Sequence, residues 1–340
     1  MSFQISKVKG IPIKLHFTLI IVFFLIAWTL ASGFMPQYFP SLSTTHYWIM
    51  GIAGAAILFI SVLLHELAHS ILSLKYGLKV RQIILFIFGG VSDIREEEKI
   101  KHDYGKEFKI AVVGPLTSFA LAGIFSLFWW ILLQVSGAGE AVVSIISGVL
   151  LYAAIVNVLL GGFNLLPAFP LDGGRMLRAG LIKWRKSYDD ATRTAVKVGT
   201  GISYGLIGFG FISILTGSFV GGFWLILIGW FLQSGAQAYL QQHELSVALS
   251  GIRLRDIMNT NFVSIRSDMI VKLVNDYFNV HRKSEFPVLD NSGYLLGAVN
   301  TRQAMSVTEQ YAEKVKVQEI MIPYDELIVM NPDSHADGAL

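Results

Sequence analysis

Cysteine is absent from the 340 residues, which excludes disulfides, thiolate metal ligands and a cysteine nucleophile. Charge is scarce as well. Asp, Glu, Lys and Arg make up 15% of the chain, against about 25% in soluble globular proteins. The formal net charge of +3 is too small to draw the chain to nucleic acid, so no nucleic-acid partner is expected. An apolar content of 53% excludes disordered and collagen-like chains. What remains is a membrane protein.

The basic residues are placed unevenly. Three lie at Lys7, Lys9 and Lys14, eight from Lys75 to Lys109, seven from Arg175 to Lys197, and nine from Arg253 onward. None falls in 15–74, 110–174 or 198–252. These gaps hold apolar runs of about 20 residues or slightly more, the length that crosses a bilayer. The pattern predicts six helices, near 15–33, 48–74, 110–133, 141–166, 198–216 and 220–241. Basic residues occupy alternate connectors, so the positive-inside rule places both termini in the cytoplasm. The expected fold is a polytopic α-helical membrane protein of about six transmembrane helices, multi-pass in the cell membrane. The first run follows a basic start and ends in Ala31-Ser32-Gly33, as a secretory signal does, but its length and His16 favour a retained first helix.

After Glu244 the charge density becomes ordinary. Phe262-Val-Ser-Ile265 reads as a strand, Val271 to Val280 has helical spacing, and Phe286-Pro-Val-Leu289 reads as a second strand. Asp290-Asn-Ser-Gly293 is a turn ahead of Tyr294-Leu-Leu-Gly297. This predicts a small α/β appendage on the cytoplasmic side.

His65-Glu66-Leu67-Ala68-His69 fits the H-E-x-x-H pattern. On a helix, positions i and i+4 share a face, so both imidazoles reach one cation, and Glu66 stands beside that face to hold a proton from water. The motif lies inside the second apolar run, about 15 Å of helix before Lys75. Ionisable groups at that depth mark functional sites by default; the plainer alternative is a polar cluster bonded between helices. A catalytic zinc site has three protein ligands and an open position. Glu66 is the sole acidic residue within the spanning runs, and Asp172 lies just beyond the fourth, in Asn164-Leu-Leu-Pro-Ala-Phe-Pro-Leu-Asp-Gly-Gly-Arg175. Pro167 and Pro170 stop the helix and Gly173-Gly174 let the backbone turn. An isolated Asp there is usually a cap or a solvated charge; apposed to an intramembrane H-E-x-x-H, it reads better as the third ligand.

These motifs resemble the site-2 protease family of intramembrane zinc metalloproteases. The resemblance rests on His65-Glu-Leu-Ala-His69, Gly89-Gly90, Gly114-Pro115 and Asn164 through Arg175, which cover most of residues 10–240 in the family's order. It implies His65, His69 and Asp172 as ligands of one Zn2+ per chain, and Glu66 as the catalytic base. It also implies that the substrate is another protein's transmembrane helix. The branch with six helices and no PDZ-like insert fits. Many members carry Asn after Gly-Pro where this chain has Thr117 and Ser118.

Ile83 to Val91 is apolar and β-prone, which suits a hairpin whose edge pairs with an unwound substrate strand, or one that merely packs on the core. Gly89 and Gly90 would allow close backbone approach, a substrate-binding role. Gly114-Pro115 reads as a packing kink. Asn157 and Asn164, two turns apart, could each serve a developing oxyanion or orient the scissile carbonyl; interhelical hydrogen bonding is the alternative. The resemblance favours Asn157 as catalytic, and Asn164 is assigned to substrate binding. His16, His46, His102 and His243 read as interfacial or solvated. Gln233, Gln237 and Gln241 share a helical face without a decided role.

In the appendage, Leu254-Arg-Asp-Ile-Met258, Phe286-Pro-Val-Leu-Asp290 and Gly293-Tyr-Leu-Leu-Gly297 resemble one CBS motif, and Val317-Gln-Glu-Ile-Met321 onward resembles the start of a second. The expected division is 1–245 for the membrane metalloprotease, 251–306 for the first CBS motif and 316–340 for a second, truncated one. Paired CBS motifs imply adenine-nucleotide sensing and homodimerisation; an incomplete second motif weakens the nucleotide expectation. The whole reads as a zinc metalloendopeptidase performing regulated intramembrane proteolysis. The rival is a non-proteolytic metal-binding transporter or scaffold gated by the CBS module. A transporter should show internal repeats and matched broken helices; the sequence has no repeat and a single Pro-broken segment.

Overall fold

Small and polar side chains line the interior of the long helices, and large apolar ones point outward, the reverse of a water-soluble core. In the computed structural model, which describes residues 2–86, 89–95, 103–134, 140–184 and 186–336, the helix carrying H-E-x-x-H buries Gly51, Gly54, Ser61, His65, His69 and Ser73. The same helix exposes Ile49, Ile52, Ile60 and Leu64. Between lipid-facing helices small residues give close packing and polar ones give hydrogen bonds, because lipid tails are as apolar as leucine.

Among the described residues six helices are long and apolar enough to cross a bilayer: α1 (Thr18–Tyr38), α2 (Thr44–Lys75), α3 (Tyr104–Gln134), α4 (Ala141–Asn164 within Glu140–Asn164), α6 (Tyr188–Leu215) and α7 (Gly221–Leu249 within Phe219–Leu249). The short α5 (Asp172–Lys183) follows the Pro-containing segment. Several helices outrun the apolar windows, because a helix continues into its polar ends. α3 begins six residues before the apolar run and α6 ten residues before its own. α1 widens into a π-helical turn at Leu30–Phe34.

The N-terminus departs from the expectation of a helix from residue 15. β1 (Ser2–Val8) and β2 (Ile11–His16) form an antiparallel hairpin, and β2 pairs in parallel with β3 (Lys79–Phe86), which pairs antiparallel with β4 (Gly89–Arg95). Among the described residues the order β1-β2-β3-β4 leaves β4 at an edge. Ile11, Ile83 and Leu85 pack against Leu19 and Val62, so the sheet is fastened to α1 and α2. The Ile83–Val91 hairpin forms as the sequence predicts, although its turn residues 87–88 lie outside the described ones, as does His102.

The chain divides into two units, Met1–Gln241 and Gln242–Leu340. In the second, β5 (Ile265–Arg266) pairs in parallel with β6 (Glu285–Leu289), β7 (Leu295–Asn300) pairs antiparallel with β6, and β8 (Ile322–Pro323) completes the sheet. Helix α8 (Val271–His281) buries Val271, Val274 and Phe278 against Phe286, Val288 and Val299. The strand expected over 262–265 is shorter, since only Ile265 and Arg266 find ladder partners. Gly293 takes a positive φ of 87° in the turn before β7.

Candidate metal centre and active site

α2 carries His65 and His69 one turn apart, both buried, with ring centroids 4.9 Å apart. Asp172, the first residue of α5, meets both: its Oδ2 lies 3.1 Å from each Nε2. The other ring nitrogens are held from α3. His69 Nδ1 is 2.6 Å from the Ile110 carbonyl oxygen, which can only accept, so Nδ1 carries the hydrogen and Nε2 presents a lone pair. His65 Nδ1 is 2.9 Å from the Ser118 hydroxyl. The result is a buried convergence of acceptors, all within 4.8 Å of one another. Acceptors do not cohere without a cation between them, and two imidazole nitrogens with one carboxylate oxygen are donors that suit zinc. Outer hydrogen bonds to the far imidazole nitrogens are the usual support of such ligands.

Gly114 of α3 faces this convergence. A β-carbon there would stand 2.6 Å from Nε2 of His65 and closer still to Nε2 of His69. The absent side chain is what lets α3 lie this close to the imidazoles. The packing expected of Gly114-Pro115 is therefore packing of α3 against the two imidazoles.

Glu66 is half-buried beside the cluster, and its Oε2 accepts a 2.7 Å hydrogen bond from the Ser92 hydroxyl of β4. Ser70 donates in turn to Ser92 at 3.1 Å. A β-carbon on Gly90 would come within 3.2 Å of the Glu66 Cδ, so β4 lies against the Glu66 side chain. Gly89 has φ of 129°, a conformation that favours glycine.

Asn157 is fully buried, and its amide donates to the Ser61 hydroxyl at 2.9 Å and to the Ala153 carbonyl at 2.8 Å. With both amide hydrogens committed, it braces α4 against α2 and has none left for an oxyanion. These contacts are the interhelical bonding that the sequence offered as the alternative to a catalytic role for Asn157. Asn164 is half-buried and donates one amide hydrogen to Leu160. His16 bonds Thr18 at the start of α1, and His46 bonds Ser43 at the start of α2. Gln233 donates to the Tyr204 hydroxyl, a link between α7 and α6.

The profile of peptidase family M50 matches residues 53–143 and 130–206. Rip3 of Mycobacterium tuberculosis is 32% identical over 97% of this chain and 82% of that protein. The zinc metalloprotease MJ0392 of Methanocaldococcus jannaschii is 33% identical over 92% of this chain and 83% of that protein. The chain belongs to peptidase family M50. A solved structure, the site-2 protease from Methanocaldococcus jannaschii, is 32% identical and covers 71% of this chain and 95% of that one, with a TM-score of 0.47. Within the M50 fold described here, Ser92, Ser118, Gly114 and the Ile110 carbonyl are the site's contributors that sequence reasoning missed.

Proposed function

We propose that this M50 peptidase is an intramembrane zinc metalloendopeptidase, hydrolysing a peptide bond within the transmembrane helix of another membrane protein. One observation carries the reading: three buried acceptors from His65, His69 and Asp172 converge beside Glu66, on a helix long enough to span a bilayer. His65, His69 and Asp172 hold the zinc, which when bound acidifies water and polarises the scissile carbonyl.

Glu66 is the base. It accepts a proton from the attacking water and returns it to the leaving amide nitrogen. The Ser92 hydroxyl steadies the oxygen that does not take the proton, and Ser70 steadies Ser92.

A helical substrate conceals its amides in internal hydrogen bonds, so the segment around the scissile bond unwinds before attack. The free edge of β4 offers backbone partners to that strand. Gly89 and Gly90 let it approach without side-chain obstruction, and the second amide hydrogen of Asn164 is available to its backbone.

The unit from Gln242 onward is a CBS-type module, supported by the strand, helix and turn order around Phe286-Pro-Val-Leu289 and Gly293. It regulates the peptidase from the cytoplasm, a side supported by the placement of Lys and Arg.

The test is reconstitution in liposomes with single-pass substrates, mapping the products by mass spectrometry. Cuts inside the apolar segment are expected, more readily where it carries helix-breaking residues. Cuts confined to soluble flanks, or none at all, overturn the reading.

A further inference from the structure

Among the described residues Arg178 is the largest side chain with no exposure, and the mechanism above gives it no part. Burying a guanidinium is costly unless its charge and its hydrogen bonds are answered. Its Nε donates to Glu107 Oε1 at 2.6 Å, another nitrogen of the fork pairs with the same carboxylate, and a third donates to the Tyr239 hydroxyl. Its central carbon lies 4.6 Å from the Tyr188 ring centroid, 5.3 Å from that of Phe169 and 5.6 Å from that of Tyr239.

The elements joined in this way are those that assemble the metal site. Glu107, Gly114 and Ser118 share one face of α3, at spacings of about two and three helical turns. That same face orients His65 through Ser118, and the Ile110 carbonyl of α3 orients His69. Arg178 stands on α5, about 9 Å along the helix from Asp172. On the other side of Asp172, Phe169 stacks on Tyr239 with centroids 4.2 Å apart. Asp172 is followed by Gly173 and Gly174, which bring α5 against the backbone of Leu165 to Phe169 but offer no side chain to hold it there.

We propose that Arg178 is the positioning residue for Asp172: by fastening α5 to Glu107 and Tyr239 it sets the carboxylate opposite the two imidazoles. A buried ion pair is poor evidence for stability but is well suited to fixing one arrangement. The assignment rests on the zinc reading of the preceding section.

The experiment uses the full chain in detergent, with circular dichroism and size-exclusion profiles recorded for every variant. Zinc affinity is measured by chelator competition, and ligand geometry by the visible absorption of the Co2+-substituted protein. Arg178→Met is expected to weaken zinc binding about 10- to 100-fold and to alter the cobalt bands, with helix content unchanged. Arg178→Lys, which keeps the charge opposite Glu107, recovers part of the loss. The Arg178→Met/Glu107→Gln double variant binds no more weakly than Arg178→Met, because the two residues act as a unit. If Arg178→Met does not fold, Tyr239→Phe carries the test and is expected to bind zinc several-fold more weakly with altered cobalt bands. A folded variant with wild-type zinc affinity and cobalt spectrum overturns the proposal. Wild-type protein that binds no zinc, or binds it as well after Asp172→Ala, contradicts the zinc reading itself and removes the proposal with it.

Discussion

The Ser92 hydroxyl donates to Glu66 Oε2 across 2.7 Å, joining an edge strand to the proposed base of the reaction on a neighbouring helix. A hydrogen bond to a carboxylate fixes its rotamer as well as its charge. Ser92→Ala is therefore expected to lower kcat about tenfold, which corresponds to ~1.4 kcal/mol, with little change in KM. Ser92→Thr should restore most of it. Steady-state kinetics on a cleaved transmembrane substrate decide the matter, and full activity in Ser92→Ala would remove Ser92 from the site.

Gly114→Ala places a β-carbon against both Nε2 atoms. Zinc affinity should fall by about 100-fold or more, as when ligands are displaced from their geometry. Gly123→Ala on the same helix meets nothing within 4 Å and serves as the control. Metal content after dialysis against a weak chelator separates the two, and equal zinc in both variants contradicts the geometry of the site.

Asn157→Ala removes the brace between α4 and α2. The expected cost is ~1–3 kcal/mol of stability, since the Ser61 hydroxyl and the Ala153 carbonyl lose a buried partner. Thermal unfolding in detergent should shift downward, while the folded protein keeps kcat within about threefold. A loss of about 100-fold in kcat with unchanged stability would return Asn157 to the oxyanion role.

The six apolar spans were legible because Lys and Arg cannot be left in lipid, and their absence marks the spans without any need for propensity. His65, Glu66 and His69 were legible from the H-E-x-x-H pattern inside an apolar run. Asp172 needed a count of ligands and the Pro-broken segment that carries it. What escaped is non-local or has no side chain to read. Ser92 reaches Glu66 from a strand that the sequence places 26 residues away. The Ile110 contribution is a backbone carbonyl, which any residue would supply. Gly114 acts through a missing β-carbon. The β1–β2 hairpin escaped because β2 owes its place to parallel pairing with β3, nearly 70 residues on. The partners of Asn157 also escaped, because spacing shows which face a side chain takes and not what its hydrogens meet there.

Stripping the metal offers a further check on the fold. Three buried acceptors that converge without a cation repel, so chelator-treated protein should unfold at lower temperature than the zinc form, and re-addition of zinc should restore the difference. An unfolding temperature indifferent to chelator would show that no ion is held by the cluster.

The most direct measurement compares wild type with Glu66→Gln in detergent, scoring cleavage of a panel of transmembrane substrates and zinc per chain in the same samples. The account predicts about one zinc per chain in both proteins, with cleavage by wild type and a loss of about 100-fold or more in Glu66→Gln. Zinc bound by both with no substrate cut by either, or equal cleavage by both, would contradict the assignment of Glu66 as the base.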